Sequence, residues 1–474
     1  MVEVEKWDVF EIRLDGPREG NPFTDVTFGA VFSQDNRDVR VVGFYDGDGR
    51  YVARFMPDSE GEWSYWTASD SASLDGETGL FRCTPAIEGN HGPVRVHRRF
   101  HFAYEDGTPH HSFGTTCYVW NHQGDELEEQ TLKTLADAPF NKIRMCIFPK
   151  HYSYNQNEPE YHPFAGSLNE SWDFRRFNPV FWDHLEKRIG DLRDLGIEAD
   201  LILFHPYDRW GYAEMDAEED DRYLKYAVAR LASFRNIWWS LANEYDLMKA
   251  KTEADWDRYF RLVQAWDPVQ HLRGIHNCRQ FYDHGKPWVT HCSIQHPEPS
   301  QSRQWREQYG KPVVDDECRY EGNVNQGWGN STAEEMVRRF WEGICAGGYV
   351  GHGETYPHPE DILWWSKGGR LRGDSAPRIQ FLKGVVEEGP HGLTPSSLNG
   401  FSAVAGVEGE YYLAYTGISQ SASKDLELPE DGVFKIDVID TWEMTIISMA
   451  GMFTGNCTVA LPGKPYIALR IRSV

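Results

Sequence analysis

The chain has 474 residues, is 40% hydrophobic and 14% aromatic with 18 Trp, and carries a formal charge of -25 at pH 7. That length exceeds one small core and predicts two or three domains. The aromatic content excludes a disordered chain, and the acidity argues against nucleic acid and anionic membranes, which both want clustered Lys and Arg.

No apolar run approaches the roughly 20 residues that span a bilayer. The start, MVEVEKWDVF, has neither a basic n-region nor an apolar h-region. The eight Cys are scattered and form no CxxC pair. A reduced, cytoplasmic protein is the expectation.

The first hundred residues alternate apolar and polar side chains, as in DVTFGAVF and VRVVGFYDGDGRYVARFMP, with Asp-Gly turns. This period predicts a β-sandwich over residues 1–97. From residue 98 the rhythm changes. Eight short apolar runs follow: SFGTTCYVW, NKIRMCIF, IEADLILFHP, NIWWSLANE, LRGIHN, WVTHCSIQH, KPVVDDEC and GYVGHGE. Longer amphipathic segments separate them, among them NPVFWDHLEKRIGDLRDLG and TAEEMVRRFWEGICAG. Only the segment after the fifth run is short and irregular. Eight β-α alternations over residues 98–389 predict an α/β fold, a (β/α)8 barrel. Short strands such as GEYYLAYTG and KPYIALRIRSV then predict a small C-terminal β-sandwich over residues 390–474.

Functional groups in such a barrel gather at the carboxyl ends of the strands. Taken in order, those ends offer Tyr118, Trp120, Asn121 and His122; Arg144 within the second strand and Lys150 beyond it; His205, Tyr207 and Asp208; Asn243, Glu244 and Asp246; His276 and Asn277; Gln295 and His296; Asp315, Asp316 and Glu317; His352 and Glu354. A single Glu at a strand end is most often a solvated loop residue. Glu244 and Glu317, however, end the fourth and seventh strands and nearly face each other across a ring of eight. A retaining glycosidase needs two carboxyls about 5–5.5 Å apart, one to attack the anomeric carbon and one to protonate the leaving oxygen.

At these residues the sequence resembles the clan A glycoside hydrolases, the (β/α)8 group that includes cellulases and β-galactosidases. SLANEYD resembles their fourth-strand Asn-Glu pair, which implies Glu244 as acid/base and Asn243 on the sugar 2-hydroxyl. KPVVDDECRYEG resembles their seventh-strand motif, which implies Glu317 as nucleophile. Arg144 in NKIRMC matches the Arg that supports the nucleophile, and His296 is the nearest match to a sixth-strand group that contacts it. The whole chain resembles a bacterial group of glycoside hydrolases with flanking β-domains, through GEWSYWT, SFGTTCYVWNHQ, FHPYDRWG, DDECRYEGN and LPGKPYIALRI. One departure stands out. Where many clan members end the eighth strand with Trp, GHGETY offers Glu354, a third carboxylate for the pocket, and Trp364 and Trp365 follow as replacements.

The resemblance implies a retaining double displacement with no metal or organic cofactor and a carbohydrate as partner. Tyr118 and Trp120 are expected to stack on the sugar, with His205, Tyr207 and Glu354 beside them. The flanking β-domains are expected to wall the cleft and favour exo action, or to make homo-oligomer contacts. Two rival readings are a carbohydrate-binding protein on a dead barrel and a metal-dependent hydrolase built on His205, His276, His291, His296 and His352. The presence of both glutamates argues against the first. Spacing unlike HxH or HExxH argues against the second.

Overall fold

The computed structural model describes residues 1–401 and 403–474. All eight expected barrel strands are present: β1 (Phe113–Thr116), β2 (Lys142–Cys146), β3 (Glu198–Phe204), β4 (Ile237–Ala242), β5 (Arg273–Gly274), β6 (Cys292–Gln295), β7 (Val313–Glu317) and β8 (Tyr349–His352). Their parallel pairing runs 5-4-3-2-1-8-7-6. The remaining seam, between β5 and β6, is bridged by the Thr290 N–H donating to Arg273 O (2.9 Å). The Asn277 amide adds to it by pairing with both backbone groups of Gln295 at 3.2 Å. The result is a nearly closed barrel.

Among the described residues, seven helices of eight or more residues pack outside: α1 (Asp125–Asp137), α2 (Pro179–Asp194), α3 (Ala217–Leu231), α4 (Glu253–Trp266), α5 (Ser302–Tyr309), α6 (Ala333–Cys345) and α7 (Ser375–Glu387). Their starts are written in the sequence. Asp216 with Glu219 and Thr252 with Asp255 form capping boxes, which satisfy amide groups that have no partner inside a helix. The crossover from β5 to β6 carries no helix among the described residues. It is held instead by Asp246, whose carboxylate accepts from the backbone N–H groups of Cys278, Arg279 and Gln280 at 2.6, 2.8 and 3.0 Å.

Inside the barrel, Lys142 Nζ donates to Asp200 (2.8 Å) and Asp316 (2.7 Å). All three groups are buried, so the pairing offsets the large cost of desolvating each charge. A three-stranded sheet of Val94–His97, His101–Tyr104 and Pro109–His110 closes the opposite end. Its Phe102 ring packs 5.0 Å from Trp238 and 5.1 Å from Tyr349.

In the N-terminal region a five-stranded and a three-stranded sheet enclose Phe10, Phe32, Phe55, Trp63 and Phe81. It docks on α2 and α3, where Arg54 donates to Glu186 (2.9 Å) and Arg230 to Asp46 (2.8 Å). The C-terminal region holds a six-stranded sheet and a two-stranded one. It packs on α6 and α7, with Trp341 stacked on Tyr415 at 5.5 Å. The eight cysteines are free, and six are buried as small apolar side chains. No helix among the described residues is long and apolar enough to cross a membrane.

Candidate active site

A cavity of about 460 Å³ opens at the carboxyl ends of the barrel strands, and both Glu244 and Glu317 line it. Glu244 follows β4 with a backbone φ of 51°. This left-handed conformation costs a non-glycine residue about 1–2 kcal/mol. The neighbouring backbone holds it there: Asn243 N–H donates to Phe204 O at 2.9 Å and Tyr245 N–H to His276 O at 3.0 Å. The carboxylate accepts from the Tyr207 hydroxyl and from Asn243 Nδ2 at 3.4 Å.

Glu317 ends β7 beside a bulge. Ile294 pairs with Asp315, but the next residue, Gln295, pairs with Glu317. Skipping Asp316 lets two consecutive acids face the barrel axis. Asp316 meets Lys142 below, and Glu317 meets Arg144 (3.6 Å) and His276 (3.7 Å) above. Burial pushes the Glu317 carboxyl up to about 8, with the nearby Tyr320 hydroxyl pulling against it. The Arg144 cation acts in the same direction as Tyr320, because an adjacent positive charge favours the ionised acid.

Arg144 also ties the two acids together. Its guanidinium lies 3.3 Å from Asn243 Oδ1, an atom that also accepts from the Tyr118 hydroxyl at 2.9 Å. Acid, amide, guanidinium and second acid thus form one continuous chain of contacts.

Of the residues expected from sequence, Tyr118, Tyr207, Asn243, Glu244 and Glu317 line the cavity, and Arg144 lies directly beneath. The other four lie away from it. Trp120 is fully buried in the core, because the chain turns into a short 3-10 helix there instead of continuing β1. His205 points its Nε2 at Phe148 O (3.2 Å), and burial pushes its imidazole down to about 3, so it stays neutral. His296 sits between cavity-lining Gln295 and Pro297 but turns away, packing edge-on against Trp305 at 4.9 Å. His276, at the end of β5, takes the position beside the β7 glutamate. Glu354 accepts from the backbone N–H groups of Arg372 (2.6 Å) and Gly373 (2.7 Å), and so clamps the loop before α7 instead of adding a third acid to the cavity. Glu321 binds the next two amides, Asp374 N–H at 2.9 Å and Ser375 N–H at 3.2 Å. With His352, Glu321 and Glu354 bring candidate metal-ligand atoms within 4.8 Å of one another, but their carboxylates are occupied by these amides.

The walls come from barrel loops. Tyr152 and Tyr154 follow β2, Tyr320 and Trp328 follow β7, and Trp365 follows β8. Of the two expected replacements, Trp365 lines the cavity, whereas Trp364 is buried, donating to Thr115 Oγ1 at 2.9 Å. No cavity-lining residue belongs to either flanking β-region, so the expectation that these regions wall the cleft is corrected. Trp365 was expected from its place after the eighth strand, whereas Tyr152, Tyr154, Tyr320 and Trp328 had no signal in the sequence beyond the aromatic richness of the loops.

The catalytic-domain description "Apiosidase-like, catalytic domain" matches residues 97–379, more than half of the chain. The chain belongs to the apiosidase-like family. Two domains of unknown function flank that match, DUF5060 over residues 3–70 and DUF5605 over residues 401–472. The chain is 39% identical to a candidate glycoside hydrolase from Bacteroides vulgatus ATCC 8482, over 100% of both chains with a TM-score of 0.96. A glycoside hydrolase family 5 protein from the same organism is 15% identical, with a TM-score of 0.63 over 81% of this chain and 94% of the other; that likeness shows the fold. No curated protein matches the chain. This apiosidase-like protein is a glycosidase on a (β/α)8 barrel, and its substrate is a carbohydrate.

Proposed function

We propose that the enzyme is a retaining glycosidase in which Glu317 is the nucleophile and Glu244 the acid/base. Glu317 attacks the anomeric carbon while Glu244 gives its proton to the departing oxygen. Glu244 then takes a proton from water, whose oxygen displaces Glu317 from the same carbon. Asn243 holds the sugar 2-hydroxyl, and Arg144 and His276 position Glu317. The observation that carries this reading is that the two glutamates line one cavity and are joined through Asn243 and Arg144.

Exo action is the finer part of the proposal. Tyr154 O–H donates to Gln326 Oε1 at 2.6 Å and so joins the β2 and β7 loops over one end of the cleft. The rings of Tyr154, Trp328 and Trp365 stand 4.8–5.8 Å apart as a continuous wall. A cavity of about 460 Å³ lies at the small end of the usual range for ligand sites, roughly 300–1,000 Å³, and suits a terminal residue.

The test is a screen of aryl glycosides, furanosides and pyranosides alike, with an apioside among them because of the family description. The first-formed anomer is followed by NMR. Retention of configuration supports the double displacement, and inversion removes it.

A further inference from the structure

Lys150 lies beyond the end of β2, nearly fully buried yet lining the cavity. Its ammonium sits 3.4 Å from the ring centre of Tyr118, 4.3 Å from that of Tyr207 and 4.6 Å from that of Tyr152. These are the same Tyr118 and Tyr207 whose hydroxyls hold Asn243 and Glu244. Ring faces partly replace water around a cation, but they cannot accept three directed N–H bonds. Among the described residues the Lys150 ammonium has no carboxylate or carbonyl partner. A buried charged group without acceptors is costly, and that cost is explained if the acceptors arrive with the ligand.

We infer that Lys150 is a specificity-determining residue whose ammonium donates hydrogen bonds to hydroxyl oxygens of the sugar ring that the enzyme cleaves off. The aromatic cage fixes the direction of the donors, and the link through Tyr118 and Tyr207 sets the hydroxyls they reach relative to the acid/base. Burial also pushes the ammonium down to about 8, so binding through it weakens in alkaline solution. This inference rests on the glycosidase reading but not on which glutamate is the nucleophile.

The test uses the nitrophenyl glycoside that the wild-type enzyme turns over fastest, together with its monodeoxy analogues. A charge-assisted hydrogen bond to a hydroxyl predicts that Lys150→Met lowers kcat/KM by roughly 10- to 100-fold, while thermal stability is kept or raised. One monodeoxy analogue should be penalised by a similar factor in the wild type and not further in Lys150→Met. Lys150→Gln, which keeps an N–H donor, should recover part of the loss and serves in place of Lys150→Met should that variant fold poorly. Equal monodeoxy penalties in wild type and variant, or an unchanged kcat/KM, overturn the inference. Coupling that persists when Glu317→Gly retains activity would leave Lys150 in place and remove only the assignment of the nucleophile.

Discussion

Arg144 lies 3.6 Å from Glu317, fully enclosed and within reach of the Asn243 amide that adjoins Glu244. A cation this close to a buried carboxyl favours its ionised form and so works against desolvation, alongside the Tyr320 hydroxyl. Its removal therefore leaves Glu317 harder to ionise. Arg144→Met is expected to move the acidic limb of kcat/KM upward by about one pH unit or more. The sign follows from the charge: an acid that loses a neighbouring cation holds its proton to higher pH, so activity appears later as pH rises. A pH-rate profile of variant and wild type on one aryl glycoside checks this. A downward shift contradicts it.

Tyr207 presents its hydroxyl to Glu244, and its ring supports Lys150. Tyr207→Phe keeps the ring and removes the donor. A hydrogen bond to a charged group contributes about 1.5–3 kcal/mol, so a loss of roughly 10- to 150-fold in kcat/KM is expected, with thermal stability little changed. Activated aryl substrates, whose leaving groups need less protonation, should show a smaller loss than alkyl glycosides.

Glu354 separates a structural role from a catalytic one. Its two oxygens accept from Arg372 and Gly373 N–H groups. Glu354→Gln leaves one buried amide without an acceptor, a loss of about 1–3 kcal/mol in stability. Denaturant unfolding should show that loss, while KM for an aryl glycoside stays within about twofold because the side chain does not line the cavity. A large rise in KM with unchanged stability would return Glu354 to the sugar site.

The parts of this architecture that follow local chemical rules were legible in the sequence. Apolar runs bounded by polar ends marked all eight strands, and Asn243-Glu244 and Glu317 stood where a buried stave meets solvent. What failed depended on geometry between elements. His296 was favoured by its place after β6, yet its flanking residues face the cavity and it faces Trp305. The bulge that admits both Asp316 and Glu317 to the barrel axis has no marker in a string of acids. Glu354 looked like a ligand for sugar because nothing in the sequence shows the Arg372 and Gly373 amides approaching it from 18 and 19 residues away. Trp365 was anticipated, but the other loop aromatics of the cavity wall, Tyr152, Tyr154 and Trp328, come from long loops whose paths are set by tertiary packing. The β5–β6 crossover was already irregular in the sequence, and Asp246, read there as a strand-end acid, turned out to anchor it.

The most direct measurement of the central claim is azide rescue of Glu317→Gly and Glu244→Ala on an activated aryl glycoside, with the glycosyl azide products assigned by NMR. Azide entering in place of the nucleophile attacks from the face opposite the leaving group, so Glu317→Gly should be nearly inactive alone and should yield the azide of inverted configuration. Azide replacing water after the glycosyl-enzyme has formed should give Glu244→Ala the azide of retained configuration. The opposite pairing of variants and products, or wild-type activity in Glu317→Gly without azide, would contradict the account.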